Sequence, residues 1–133
     1  AALRMPIGRF TEHLGGLPHL AGLVGEFTGA FVALLGQNAA CNRLHTTEQR
    51  LSRWLLMCRD RVETDQFLLT QEFIGQMLGV RQGSVSDAAQ ALRDVEVIHC
   101  QRGMINILDP ARLEACACEC YPRIRSRYEV LYH

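Results

Sequence analysis

The chain has 133 residues, 48% of them apolar and 21% charged, which suits one ordinary domain or a small domain with an appendage and excludes a disordered polypeptide. Fourteen basic and fourteen acidic residues leave no net charge, so there is no bulk cationic field to attract a polyanion. A nucleic-acid role must therefore rest on local geometry. The basic residues are all arginine, which reflects a coding bias as readily as any demand for phosphate contacts.

Residues 1–16 carry scattered apolar positions, Leu3, Met5, Ile7 and Phe10, too few to build a core, and read as the remnant of a preceding effector domain. From Leu17-Pro18 to about Leu44 the spacing predicts one long helix, its proline tolerated in the first turn. Leu20, Leu23 or Val24, Phe27, Ala30 or Phe31, Leu34 and Cys41 run close to a heptad stripe, so residues 17–45 are expected to be a dimerisation helix. The same stretch admits a membrane reading, since Leu20 to Leu35 is nearly all apolar and Gly25 and Gly29 match a small-residue helix contact. Against it, Glu26 interrupts the run, which falls short of the ~20 residues a bilayer requires.

Residues 46–133 are expected to form the second domain. Thr46-Thr47-Glu48 offers caps for a helix from about Glu48 to Arg61, with Leu51, Trp54, Leu55 and Cys58 as its inner stripe and Arg50, Arg53, Arg59 and Arg61 on a solvated rim. Thr70 caps a further helix whose Phe73, Ile74, Met77 and Leu78 fall on one apolar face. Gly79 supplies a sharp turn and Val80 plugs the corner. A second apolar face then resumes at Val85, Ala88, Ala89 and Leu92. The opposite face presents Gln82, Gly83, Ser86, Asp87 and Gln90, a narrow polar surface that suits a DNA major groove. Val97 to Gln101 and Met104 to Leu108 flank Arg102-Gly103, the pattern of a tight hairpin with a cation at its tip: a wing. Asp109-Pro110 starts a last helix that Tyr121-Pro122 ends, leaving Arg123 to His133 as a terminal tail.

The six cysteines stand at 41, 58, 100, 116, 118 and 120 and are expected to be reduced. On a continuous helix Cys116 and Cys120 share a face while Cys118 points away, so at most two thiols converge. No metal ligand is assigned on that ground; a metal or redox role for Cys116 to Cys120 stays as an alternative to plain structural thiols. No serine-histidine-acid or paired-carboxylate arrangement is suggested, and His13, His19, His45, His99 and His133 are scattered over separate segments, so no enzyme is expected.

The order of these elements resembles the carboxy-terminal half of Crp/Fnr-type bacterial transcription regulators. The residues that carry it are Arg50-Leu-Ser-Arg-Trp-Leu-Leu56, Leu69-Thr-Gln-Glu-Phe-Ile-Gly-Gln-Met-Leu-Gly-Val80, Ser84-Val85, Arg102-Gly103 and the ending from Leu113 to Cys118-Glu-Cys-Tyr121. The resemblance covers nearly the whole chain. It implies a mainly α fold with a small β-hairpin wing, a long dimerisation helix leading into a winged helix-turn-helix. It also implies a missing amino-terminal effector-binding β-barrel, of which residues 2–6 are the last strand. The iron-sulfur cysteines that some members carry belong to that missing part, so no cofactor is expected in this chain.

By the same resemblance, Thr70 and Gln71 occupy phosphate-contacting positions at a helix start, where backbone N–H groups favour anions. Arg81, Gln82, Gly83, Ser84 and Asp87 fall where the recognition helix enters the groove, joined by Ser86 on the same face, and Arg102 tips the wing. Many members place a glutamate and arginines where this chain has Gly83, Gln82 and Asp87, so the family's usual half-site does not carry over. The expected function is sequence-specific binding of double-stranded DNA by a cytoplasmic homodimer on a two-fold symmetric operator, with RNA polymerase as an implied partner. Two alternatives remain, a winged-helix protein-interaction module and a thiol- or metal-responsive sensor.

Overall fold

The computed structural model describes residues 4–132, with side chains to Glu129. Ten elements follow in order: α1 (Ile7–Leu14), α2 (Pro18–Leu44), α3 (Thr47–Val62), β1 (Gln66–Leu68), α4 (Gln71–Leu78), α5 (Gln82–Asp94), β2 (Ile98–Gln101), β3 (Met104–Ile107), α6 (Pro110–Cys116) and α7 (Cys120–Tyr132). The fold is mainly α with a small antiparallel sheet, as the element pattern predicts. Part of the strand expected over 2–6 lies outside the described residues; residues 4–6 are irregular and lead into α1.

Helix α3 is the hub. Thr46 and Gln49 form a reciprocal capping box, Thr46 Oγ1 accepting from the Gln49 N–H at 3.2 Å and Gln49 Oε1 accepting from the Thr46 N–H at 3.0 Å. Leu51 and Leu55 are fully buried, joined by Leu56 and Met57, and the helix packs on α5 and α6. The arginine rim expected on this helix is corrected at two positions. Arg50 and Arg53 are 5% and 4% exposed; Arg50 Nη2 donates to the Leu78 carbonyl, and Arg53 Nη1 donates to Asn38 Oδ1 at 2.8 Å. An arginine fork can reach an unpaired carbonyl at a helix end, which here ties the end of α4 to α3. Arg59 does pair locally, with Asp65 at 2.5 Å, and Arg61 sits 4.7 Å above the Tyr128 ring.

The sheet has three strands in the order β1-β3-β2, one more than the expected hairpin. Phe67 faces Ile105 and Ile98 faces Ile107, so the buried members of each strand share the face over the core. At the hairpin tip Arg102 and Gly103 both have positive φ, 49° and 79°, the requirement of a two-residue turn that follows the strand twist.

The last helix differs from expectation. Helix α6 stops at Cys116, with Ala117 extended at φ −77° and ψ 159°, and α7 begins at Cys120, so Tyr121-Pro122 starts a helix and does not end one. Pro122 explains the break: in a continuous helix its ring would clash with the carbonyl of Cys118, four residues back, whereas in a first turn its missing N–H costs nothing. Tyr121 anchors the new helix on α3 by donating its hydroxyl to Asp60, 3.1 and 3.0 Å from the two carboxylate oxygens. Burial, together with that carboxylate, pushes the Tyr121 hydroxyl up to about 12.

Helix α2 runs for 27 residues, or about 40 Å at 1.5 Å per residue. It is therefore long and apolar enough to cross a membrane, and the expectation that the run is too short for that is corrected. Gln37, Asn38 and Asn42 do not end the helix; they continue it toward its packing on α7. Cys41 is its one buried residue among the described residues, while Leu23, Phe27, Phe31, Val32 and Leu35 are exposed and the Phe27 and Phe31 rings stack 6.2 Å apart.

Candidate nucleic-acid interface

Helices α4 and α5 cross at a turn that only particular residues permit. Gly79 ends α4 at φ 64°, a left-handed conformation natural to glycine. At Gly75 a Cβ would meet the Val80 carbonyl oxygen at 3.0 Å, so a larger residue would push the two helices apart. Val85, Ala88, Ala89 and Leu92 are all buried, as their period predicts. Ile74 and Leu78 are buried as well, but Phe73 and Met77, expected beside them, are 44% and 54% exposed. Helix α4 is too short to bury a full turn, and Phe73 lies at its edge with its ring 6.2 Å from Trp54.

The burial of those four α5 residues leaves Gln82, Gly83, Asp87 and Gln90 exposed and Ser84 and Ser86 half-buried. The side chains of Gln82 and Asp87 make no hydrogen bond or ion pair among the described residues, so their full donor and acceptor capacity faces solvent. Gln90 is different: its amide donates to Asp94 Oδ1 at 2.5 Å and its oxygen accepts from Arg93, a local network that occupies it. Sequence reasoning also missed a tie across the two helices. Ser86 Oγ donates to Gln71 Oε1 at 2.8 Å, holding the start of α4 against the open face of α5.

The other residues singled out from the sequence lie on the elements that pack next to α5 or lead into it. Thr70 caps α4 by accepting from the Phe73 N–H at 3.1 Å, which leaves its own hydroxyl hydrogen for an outside acceptor. Gln71 is the first residue of α4. Arg81 is the N-cap of α5, without a side-chain capping bond, and is exposed. Arg102 is exposed at the wing tip, and neither arginine has an ion-pair partner among the described residues. The candidate residues thus comprise two cations without an ion-pair partner among the described residues, two helix N-termini and a polar helix face.

Residues 49–116 match the family model described as a Crp-like helix-turn-helix domain. The chain belongs to that family. The matched segment runs from the first turn of α3 to the end of α6 and so takes in both helices of the turn and the wing. Comparison with curated proteins returned no match. Among solved structures it is similar to FixK2 from Bradyrhizobium japonicum, with a TM-score of 0.75 at 17% identity over 84% of this chain and 58% of that one. It is also similar to a protein assigned to the crp/fnr family of transcriptional regulators from Eubacterium rectale, with a TM-score of 0.66 at 19% identity over 84% and 51%. At these identities the likeness is one of fold, and this chain spans roughly half the length of those structures.

Burial pushes Cys58, Cys100, Cys116 and Cys118 above the ordinary thiol range and Cys120 up to about 12, so as free thiols they carry little thiolate at neutral pH.

Proposed function

We propose that this Crp-like domain is a sequence-specific, cytoplasmic DNA-binding transcription regulator that works as a homodimer on a two-fold symmetric operator. In this reading α5 enters the major groove, with Gln82, Gly83, Ser84, Ser86 and Asp87 toward base edges. Thr70, Gln71, Arg81 and Arg102 meet phosphates on either side. Helix α2 pairs with the same helix of a second copy, and RNA polymerase is the partner whose access the dimer changes. The observation that carries the reading is the division of α5 into a wholly buried apolar face and an opposite polar face whose Gln82 and Asp87 are uncommitted. The exposed apolar surface of α2 supports a second copy over a lipid bilayer as its cover. The carboxy-terminal turn of that helix is packed into the domain through the fully buried Cys41, and Glu26 stands mid-helix.

A second reading is a protein-binding winged helix. The zero net charge and the exposed Asp87, which repels phosphate, favour it. Selection from random duplexes at moderate salt separates the two. The DNA reading expects enrichment of an inverted repeat, and on the enriched duplex log Kd should rise linearly with log salt. Arg81→Ala and Arg102→Ala should each flatten that slope by about one counterion and weaken binding to all sequences alike. A changed base preference with an unaltered slope would show that these arginines read bases. Absence of any enriched sequence would favour the protein-binding reading.

A further inference from the structure

Four side chains from distant parts of the chain meet where the end of α2 packs on the start of α7. Cys41 lies in the last turn of α2 and His45 caps it, and the four-residue spacing puts both on one face. The extended backbone at Ala117 brings Cys118 and Cys120 in from the other side, correcting the expectation that no more than two thiols converge. The three Sγ atoms and an imidazole nitrogen all lie within 4.8 Å of one another, with Cys120 Sγ 3.4 Å from His45 Nε2. Cys41, Cys118 and Cys120 are 0%, 2% and 4% exposed, so the cluster is closed to solvent on the thiol side. Cys116 is not part of it.

We propose that Cys41, His45, Cys118 and Cys120 bind one zinc ion as a closed structural site. Three thiolates and an imidazole are a donor set that structural zinc uses, with no open position for a substrate. Tetrahedral ligands at about 2.3 Å for sulfur and 2.0–2.1 Å for nitrogen stand roughly 3.5–3.8 Å apart, so closing this cluster on the ion takes a contraction of about 1.3 Å at most. On binding, the three thiols release their protons to solvent.

A second observation points to the same occupant. Arg50 and Arg53 are buried beside the cluster with no carboxylate partner among the described residues, and the Nε of each lacks any hydrogen-bond acceptor. Arg53 donates to Asn38, about one turn before Cys41 on α2. Buried cations without a counter-charge are costly. Three thiolates around a divalent ion leave one net negative charge, which supplies that counter-charge. Gln37 Nε2 already donates to Cys120 Sγ at 2.9 Å and lies 3.8 Å from Cys41 Sγ, the N–H to sulfur contacts that support a thiolate ligand. The Glu119 carboxylate, exposed at the surface, lies 3.6 Å from His45 Nε2. The ion would rivet the long α2 helix to α7, and so set the direction in which α2 leaves the winged domain.

The test is metal analysis of the purified 133-residue chain after dialysis in reducing, metal-free buffer, followed by cobalt(II) titration of the stripped protein. About one zinc per chain is expected, together with strong visible bands and a near-ultraviolet thiolate-to-cobalt band typical of tetrahedral sulfur-rich sites. Cys41→Ser, Cys118→Ser and His45→Ala should each weaken zinc retention at least about tenfold, while Cys58→Ser and Cys116→Ser leave it unchanged. If a ligand variant fails to fold, the cobalt spectrum of the unaltered chain decides. No thiolate-to-cobalt band, zinc lost on Cys116→Ser and kept on Cys118→Ser, or a stable disulfide among these cysteines in the isolated protein would each overturn the site.

Discussion

With α2 paired as proposed, Phe27→Asp is expected to turn the dimer into a monomer at micromolar concentration and to remove tight operator binding. Phe27 is 49% exposed near the middle of α2, stacked on Phe31 and flanked by Leu23 and by Leu35 two turns on. In a symmetric pair each substitution enters twice, and an unpaired carboxylate pressed against an apolar helix costs several kcal/mol. Since each 1.4 kcal/mol is tenfold, the dimer dissociation constant should rise at least about a hundredfold. Sedimentation velocity measures it, and the same variant should bind half-sites with the weak affinity of a single winged domain. If Phe27→Asp stays dimeric, α2 does not hold the dimer. A wild-type chain that stays in solution only with detergent would return α2 to the membrane reading.

Leu92→Ala should be the most destabilising of the simple truncations on α5. Leu92 is fully buried on the inner face of α5, and its carbonyl accepts from the Val97 N–H at 3.1 Å as the chain turns toward the wing. Truncating a buried leucine costs about 2–5 kcal/mol, a large part of the roughly 5–15 kcal/mol that holds a domain folded. Thermal unfolding should show a midpoint lower by roughly 10 °C. On the opposite face of the same helix, Gln82→Ala should leave stability within about 0.5 kcal/mol of the parent. Equal costs on both faces would mean that α5 is buried on both sides, in conflict with its exposure.

The helix-turn-helix and the wing were legible because local rules and tertiary structure agree there. Gly79 takes the left-handed turn that its place between two apolar periods requires, and Arg102-Gly103 takes the positive φ of a tight hairpin. The misreadings share one cause, an unseen neighbour. Arg50 and Arg53 read as a solvated rim because charge normally marks the wet face of a helix; only the placement of α4 and of Asn38 gives their forks something to bond. Phe73 and Met77 follow the right period, but α4 has too little surface against the core to bury them. Strand β1 has three residues, too few to display alternation, and exists through its pairing with β3.

The break at Ala117 had one visible signal, Pro122, read as the end of a helix when it marks the first turn of the next. That shift moved Cys118 from solvent to the interior. The convergence of cysteines was hidden for the same reason, since Cys120 and His45 meet across 75 residues of sequence. The four-residue spacing of Cys41 and His45 was the clue that could have been weighed beside the Cys118 and Cys120 pair.

Base reading by the exposed face of α5 is what the proposed function requires. Its most direct test is the binding of Gln82→Ala to a panel of single-base variants of the selected operator, at fixed salt. Discrimination should collapse at one base pair of each half-site, by about 1–3 kcal/mol, with the other positions barely changed. Losses spread evenly over the panel, or an unaltered panel, would contradict it.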